Sequence, residues 1–126
     1  MKYRLTNETI EHCGKTLYRI QALKDFGEVR TGDKGGFVES IYNLNQLGDA
    51  WISGNARVSG NALVSGDALV SCNARVCDNA MVGDEALVFG NALVCDNVLV
   101  CDNAMVDGNA IVSGNSVVSG NARMTL

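Results

Sequence analysis

The amino-acid sequence predicts an all-β solenoid, a column of stacked parallel coils that an N-terminal β-hairpin and loop cap at one end. A six-residue unit repeats twelve times between Ile52 and Arg123 without insertion or deletion. Inward and outward positions alternate within the unit as they do in a β-strand, and two turn-forming residues separate successive strands. A period this short indicates that each copy buries its apolar residues only against neighbouring copies.

The inward positions of the unit are the first and the fifth. The first is Ile52 and then Val in the next eleven copies, and the fifth is Ala in ten copies, with Val98 and Ser116 as the exceptions. Gly at the third position in seven copies and Asn at the fourth in ten form the turn, because both residues tolerate left-handed backbone. Since every copy has the same inward pattern, we expect the strands to stack in parallel rather than to form hairpins.

The N-terminal segment lacks this period, and we place the domain boundary after it, with a cap at 1–46 and the repeat domain at 47–126. Within the cap, residues 2–6 and 16–21 have strand character, residues 13–15 form a hairpin turn and residues 31–36 a loop. Such a cap would cover the first coil and prevent edge-to-edge growth of the column.

Composition excludes several function classes. The chain of 126 residues has a net charge of −4, and its repeats carry seven acidic side chains against three arginines. An acidic repeat is a poor binder of nucleic acid, because phosphate neutralisation supplies most of that affinity. We found neither a signal segment nor an apolar run of the ~20 residues that a membrane span requires. Five cysteines, an odd number, fit a reducing compartment, so we expect a cytoplasmic protein of a bacterium or of a phage-infected bacterial cell.

The repeat resembles a known family. Val-Ser-Gly-Asn-Ala-Leu at residues 58–63 is similar to the hexapeptide repeat of left-handed parallel β-helices, in which three hexads form one triangular coil of eighteen residues. The resemblance implies a single-stranded, left-handed, triangular solenoid of about four to five coils, each rising ~4.8 Å. Residues 18–26 and 32–40 resemble the leader of small bacterial and phage hexapeptide-repeat proteins, most of which have no assigned function.

A coil of eighteen residues sorts the outward sixth positions, together with Trp51 just before the first copy, into three rows, and nine of the twelve sixth positions within the copies are apolar. A continuous outward apolar stripe is typical of an interface, although the same side chains also favour strand formation on an exposed face. The rows are the first ladder (Leu63, Met81, Leu99, Val117), the second ladder (Trp51, Leu69, Leu87, Met105, Arg123) and the third ladder (Arg57, Arg75, Leu93, Ile111).

We therefore predict that the chain forms a homo-oligomer. The resemblance implies a trimer with parallel prism axes, and a dimer through the uncapped C-terminal coil is the alternative. The predicted interface residues are Leu63, Met81, Leu99, Val117, Leu69, Leu87, Met105, Phe89, Met124 and Leu126.

The chemistry of the enzymatic hexapeptide proteins is missing. Their acyltransferases use a histidine base and their carbonic anhydrases hold zinc with several histidines, whereas this chain has only His12, in the cap. Cys77 and Cys95 should stack at a spacing that a disulfide can bridge, but we interpret them as small outward residues in place of serine. We predict no catalytic residue, no metal site and no cofactor.

Acidic residues at the third position should also stack. Asp78 lies eighteen residues before Asp96, and Asp84 lies eighteen before Asp102. Two carboxylates per corner are too few for a dedicated calcium site, so we interpret them as a solvated acidic ridge.

Our leading hypothesis is a non-enzymatic, self-associating β-solenoid that works as a rigid binding or assembly module. One alternative is a phage-encoded, anti-CRISPR-like antagonist of a bacterial defence or regulatory protein, with a protein target that the residues do not identify. The other alternative is a degenerate relative of the hexapeptide acyltransferases, but the absence of a histidine from the coils argues against it. We expect neither nucleic acid nor membrane as a partner.

Overall fold

The computed structural model describes all residues, 1–126, and is an all-β solenoid of about five stacked coils with a short hairpin at its N-terminal end. The hairpin consists of β1 (Tyr3–His12) and β2 (Lys15–Ala22), which pair antiparallel. Its turn is formed by Cys13 and Gly14, both with positive φ. The predicted hairpin is thus confirmed, with longer strands than the sequence indicated.

The predicted loop at residues 31–36 is wrong in its second half. Lys34–Val38 forms β3, which pairs antiparallel with β2 and parallel with a coil strand at Arg57–Val58. The glycines here serve close packing, because a Cβ on Gly36 would lie 2.6 Å from the Ala56 carbonyl oxygen. A one-turn 3-10 helix, Ile41–Asn43, follows, and Ser40 caps it.

Thirteen further strands build the coils, and each contains a sixth position and the first position after it. These strands form three parallel stacks, and β1, β2 and β3 extend the third stack, which contains β5. The strands are β4 Trp51–Ile52, β5 Arg57–Val58, β6 Leu63–Val64, β7 Leu69–Val70, β8 Arg75–Val76, β9 Met81–Val82, β10 Leu87–Val88, β11 Leu93–Val94, β12 Leu99–Val100, β13 Met105–Asp107, β14 Ile111–Val112, β15 Val117–Val118 and β16 Arg123–Thr125.

The register confirms the interval of eighteen residues along all three ladders. On the first ladder, Leu63 pairs with Met81, and Met81 with Leu99. On the third, Arg57 pairs with Arg75, which pairs in turn with Leu93. The left hand that the resemblance implies stays a prediction, as does the boundary after residue 46.

The core is one continuous column of small and β-branched side chains. Val58, Val76 and Val94 are fully buried, as are the alanines at most fifth positions, and the buried apolar cluster holds 31 residues. Because each valine covers the one below it, burial of apolar area accumulates along the axis and supplies the main stabilisation.

The cap closes the N-terminal end of this column. Tyr3 and Phe26 both meet the Trp51 ring edge-on, with centroids 6.5 and 5.4 Å away. The Tyr3 hydroxyl lies 2.6 Å from the carbonyl oxygens of Ile41 and Leu44, which ties the hairpin to the first turn of the coil. The structure holds no helix with the length and apolar character that a membrane span needs.

Candidate interaction surface

The first ladder forms a regular apolar row on one face of the prism. Its strands β6, β9, β12 and β15 make a separate four-stranded sheet. Met81 is 47% and Val117 is 63% exposed, while Leu63 and Leu99 are half-buried. The structure therefore brings the four predicted residues of this ladder together on one outward surface.

Asparagine side chains border this face at the corner. Asn61 donates to Asn79, Asn79 to Asn97, and Asn97 to Asn115, over distances of 3.0 to 3.2 Å. Each amide is thereby held in place by the next coil, which gives the face a rigid edge. The interval of eighteen residues places these asparagines directly over one another.

The second ladder is only partly outward. Trp51, at its N-terminal end, is buried beneath the cap, and Leu69 packs partly against the core cluster. Leu87, Met105 and Phe89 are half-buried. The burial of Trp51 could not be predicted from the repeat, because it depends on how the cap folds over the first coil.

A cleft separates the cap from the second ladder. It has a volume of about 590 Å³, and its floor includes Trp51, Leu69 and Leu87. Charged residues stand around the floor, with Asp33 and Lys34 on the cap side. The cleft leaves the middle of the second ladder open to a partner, while its N-terminal end is occupied by the cap.

The C-terminal residues of the predicted interface lie on the open end of the column. Met124 is 43% and Leu126 is 83% exposed, and their strand β16 pairs only with β13. Met124 occupies a first position, which is buried in every complete coil, but no further coil covers it. Nearby, the buried carboxylate of Asp107 forms an ion pair with Arg123 at 2.7 Å. In the sequence, this pair is indicated only by an aspartate at a second position, where serine is common.

The acidic ridge has a structural role that the sequence did not reveal. The Asp78 carboxylate accepts a hydrogen bond from the Asp96 amide at 3.1 Å, and the Asp96 carboxylate accepts one from Gly114 at 2.8 Å. At the next corner, the Asp84 carboxylate accepts a hydrogen bond from the Asp102 amide, and the Asp102 carboxylate accepts one from the Gly120 amide. The carboxylates are therefore exposed but not simply solvated, since each carries backbone hydrogen bonding from one coil to the next.

A cysteine joins each acidic pair. Cys95 with Asp78 and Asp96, and Cys101 with Asp84 and Asp102, each bring three potential ligand atoms within 4.8 Å of one another. Burial, and then the charge of the neighbouring aspartates, raises the pKa of both thiols. A raised pKa favours the protonated thiol, which is a poor metal ligand, so the two thiols are not activated for metal binding.

All five cysteines are free thiols. Burial, followed by the nearby Asp78 carboxylate, raises the pKa of Cys77 to about 11. At neutral pH the Cys77 thiolate is scarce, which disfavours both nucleophilic attack and disulfide exchange with Cys95. The stacked pair thus behaves as a pair of small outward side chains.

His12 lies against the third ladder. Its Nδ1 is 3.2 Å from Nη1 of Arg57, and burial, then the charges of Arg57 and Arg75, lower its pKa. Because an arginine can only donate, the imidazole accepts at Nδ1 and is neutral in this contact. His12 therefore anchors the hairpin to the coil through Arg57.

Comparison with known proteins bears on the repeats. The family model described as "YdcK Beta solenoid repeat" matches residues 50–66, 56–72 and 100–114, which together span less than half of the chain. The comparison with curated proteins gave no match. The matched segments are the corner and strand units described above, and the parallel stacking agrees with the family description. The chain is a β-solenoid repeat protein.

Proposed function

We propose that this chain self-associates through its outward apolar ladders and works as a rigid, non-enzymatic binding or assembly module. The observation that carries the proposal is the first ladder, in which four apolar side chains stand in register on one sheet face. Monomeric proteins rarely expose such a continuous apolar row.

Burial of the first ladder favours association but does not by itself offset the entropy cost of binding. Full burial of a Leu, Met or Val side chain is worth roughly 1.5 to 3 kcal/mol, and Met81 and Val117 still have about half of their surface to bury. The half-buried leucines add less. Because the entropy cost of association is several kcal/mol, the first ladder needs a complementary apolar surface, and the open middle of the second ladder supplies one.

A trimer uses both surfaces at once. When the first ladder of one subunit packs against the second ladder of the next, the contact is heterologous, and a rotation of one third of a turn closes the ring. Parallel prism axes keep the rows of Met81 and Leu87 in contact over several coils. Because five cysteines, an odd number, fit a reducing compartment, we place the assembly in the cytoplasm of a bacterial or phage-infected cell.

Gel filtration with light scattering tests the proposal on the full chain. The wild type should have the mass of an oligomer at micromolar concentration, and the double variant Met81→Lys/Leu99→Lys should be a monomer. The matched control is Leu93→Lys/Ile111→Lys, which places two lysines in successive coils of the third ladder and should keep the wild-type mass. A monomeric wild type would refute self-association.

A dimer through the C-terminal end is the competing mode of self-association, and the same mass measurement distinguishes it from a trimer through the ladders. Met124→Lys/Leu126→Lys places charge on the open end of the column, where both side chains are exposed. In a trimer through the ladders, this variant keeps its mass. If it alone dissociates the oligomer, the assembly is an end-to-end dimer and the ladder interface is wrong.

A further inference from the structure

The third ladder begins with two arginines that lack acidic partners. Arg57 and Arg75 are in register in adjacent strands, and neither forms an ion pair with a carboxylate. The same ladder continues with Leu93 and Ile111, so the coil accepts apolar residues at this position. Like charges directly opposite each other in a sheet are destabilising, and the pair therefore needs a compensating group.

The immediate surroundings offer only a partial compensation. Nη1 of Arg57 lies 3.2 Å from His12 Nδ1, which satisfies one of its donors. Nε of Arg57 is buried and has no acceptor within the chain. A buried guanidinium donor without an acceptor costs free energy, and because Nε is covered by the chain itself, the Nη groups are the donors that a ligand can reach.

Two cavities meet at this pair. One is a polar groove of about 580 Å³, lined by the two arginines and by asparagine side chains of four successive coils, namely Asn55, Asn73, Asn91 and Asn109. The other is a smaller pocket of about 200 Å³ on the hairpin side, whose lining also includes His12, Cys13 and Ser59. Arg57 and Arg75 line both the groove and the pocket.

We propose that Arg57 and Arg75 form a binding site for a small-molecule phosphate group, which lies in the asparagine-lined groove. This site is separate from the self-association proposed above and lies on a different face of the prism. The planar arginine fork pairs with phosphate oxygens through two parallel hydrogen bonds, and two stacked arginines match one dianionic group.

The asparagines extend the site along the axis. Asn73 donates one side-chain N–H to Asn91, and Asn91 donates one to Asn109, both at 3.3 Å. Each amide has a second N–H, which can donate to hydroxyl or phosphate oxygens of a ligand in the groove. The net charge of −4 disfavours a long polyanion, so the ligand is a compact molecule with one phosphate group.

Nuclear magnetic resonance of the ¹⁵N-labelled full chain tests the site, with inorganic phosphate and glycerol 3-phosphate as probes at constant ionic strength. We expect saturable shifts confined to the side-chain signals of Arg57, Arg75, Asn55 and Asn73. Equal affinities for the two probes would assign the site to free phosphate, and tighter glycerol 3-phosphate binding would assign it to a phosphorylated small molecule. Glycerol alone should produce no shift.

Arg75→Gln is the decisive variant, because the Arg75 side chain is exposed and makes no hydrogen bond within the chain, while its backbone bond to Ala92 is kept in the variant. It should weaken phosphate binding at least tenfold. The control Arg30→Gln removes the same charge from an exposed cap loop, where the guanidinium contacts only the carbonyls of Gly27 and Val29, and should leave the affinity unchanged.

Three results would overturn the proposal. The first is a set of shifts that do not saturate or that spread over all lysines and arginines. The second is an Arg75→Gln protein that binds phosphate as the wild type does. The third is a glutamate-rich peptide that binds this face more tightly than either phosphate probe, which would assign the arginines to an acidic protein surface instead.

Discussion

The carboxylate of Asp84 accepts a hydrogen bond from the backbone amide of Asp102 at 2.9 Å, across one full coil. Both residues have positive φ, 54° and 57°, at a corner position where glycine is the commonest residue. Asp102 repeats the contact with the Gly120 amide at 2.9 Å. Aspartate therefore replaces glycine here with a side-chain bond that offsets the cost of left-handed backbone.

This hydrogen bond predicts that, at position 84, alanine lowers the free energy of unfolding more than glycine does. Asp84→Ala keeps a Cβ at positive φ and loses the acceptor, so it should lower the free energy of unfolding by about 2 kcal/mol. Asp84→Gly loses the same bond without the backbone cost and should lower it by about 1 kcal/mol or less. Urea denaturation measures both, and an alanine variant as stable as the glycine variant would contradict the assigned role.

The ladders could be predicted because a strict repeat leaves one self-consistent stacking. Once Val58 and Val76 both point inward, an interval of eighteen residues places Leu63 over Met81, and the structure has that register. The corner asparagines follow from the same spacing. No long-range information is needed, because every copy packs only against copies like itself.

The cap, in contrast, depends on contacts that no local pattern contains. Gly35 and Gly36 have the composition of a loop, yet they form part of β3, because only a backbone without side chains fits against the first coil. Trp51 belongs to an outward row by its spacing but is buried by Tyr3 and Phe26. The pairing of Arg57 with His12, which shapes the third face, has the same origin.

The close approach of β3 gives a second prediction. A Cβ on Gly36 would lie 2.6 Å from the Ala56 carbonyl oxygen and 2.7 Å from Cγ2 of Ile52. Gly36→Ala should therefore displace the cap strand and lower the free energy of unfolding by about 1 to 3 kcal/mol, as overpacking does elsewhere.

Gly83→Ala is the matched control for this experiment. Gly83 lies at a second position, has ordinary φ, and a Cβ there would meet only the Ser65 hydroxyl, at 3.3 Å. We expect its denaturation midpoint to stay close to that of the wild type. Equal midpoints for Gly36→Ala and Gly83→Ala would show that β3 can move away from the coil without cost.

Lys2 is a buried cation in the cap. Its Nζ donates to the carbonyl oxygens of Ala50 at 2.8 Å and Gly48 at 3.3 Å, and it lies 4.8 Å from the centroid of the Phe26 ring. Burial is the main cause that lowers the pKa of Lys2 from 10.5 to about 8, and the Asp49 carboxylate opposes the shift only in part. The ammonium group is therefore less stable in the folded chain than in water.

The sign of the pH dependence follows from this shift. Below pH 8 the amine is protonated in both states, so it contributes no slope. Between pH 8 and 10.5 the unfolded chain keeps a proton on Lys2 that the folded chain has lost. The free energy of unfolding therefore rises with pH in this window, by at most about 1.4 kcal/mol per pH unit. Burial raises the pKa of Tyr3 to about 12 and that of Cys77 to about 11, and both shifts act in the opposite direction.

A variant isolates the contribution of Lys2 from those opposing groups. Tyr3 and Cys77 are present in both the wild type and Lys2→Met, so their effects cancel in the difference between the two unfolding free energies. We expect the wild type to gain about 1 to 2 kcal/mol on Lys2→Met between pH 7.5 and pH 10, measured by urea denaturation. Lys34→Met, at an exposed site of the cap, should follow the wild-type profile. Parallel profiles for the wild type and Lys2→Met would mean that the ammonium group of Lys2 is hydrated in the folded protein, because burial is the main cause that lowers its pKa.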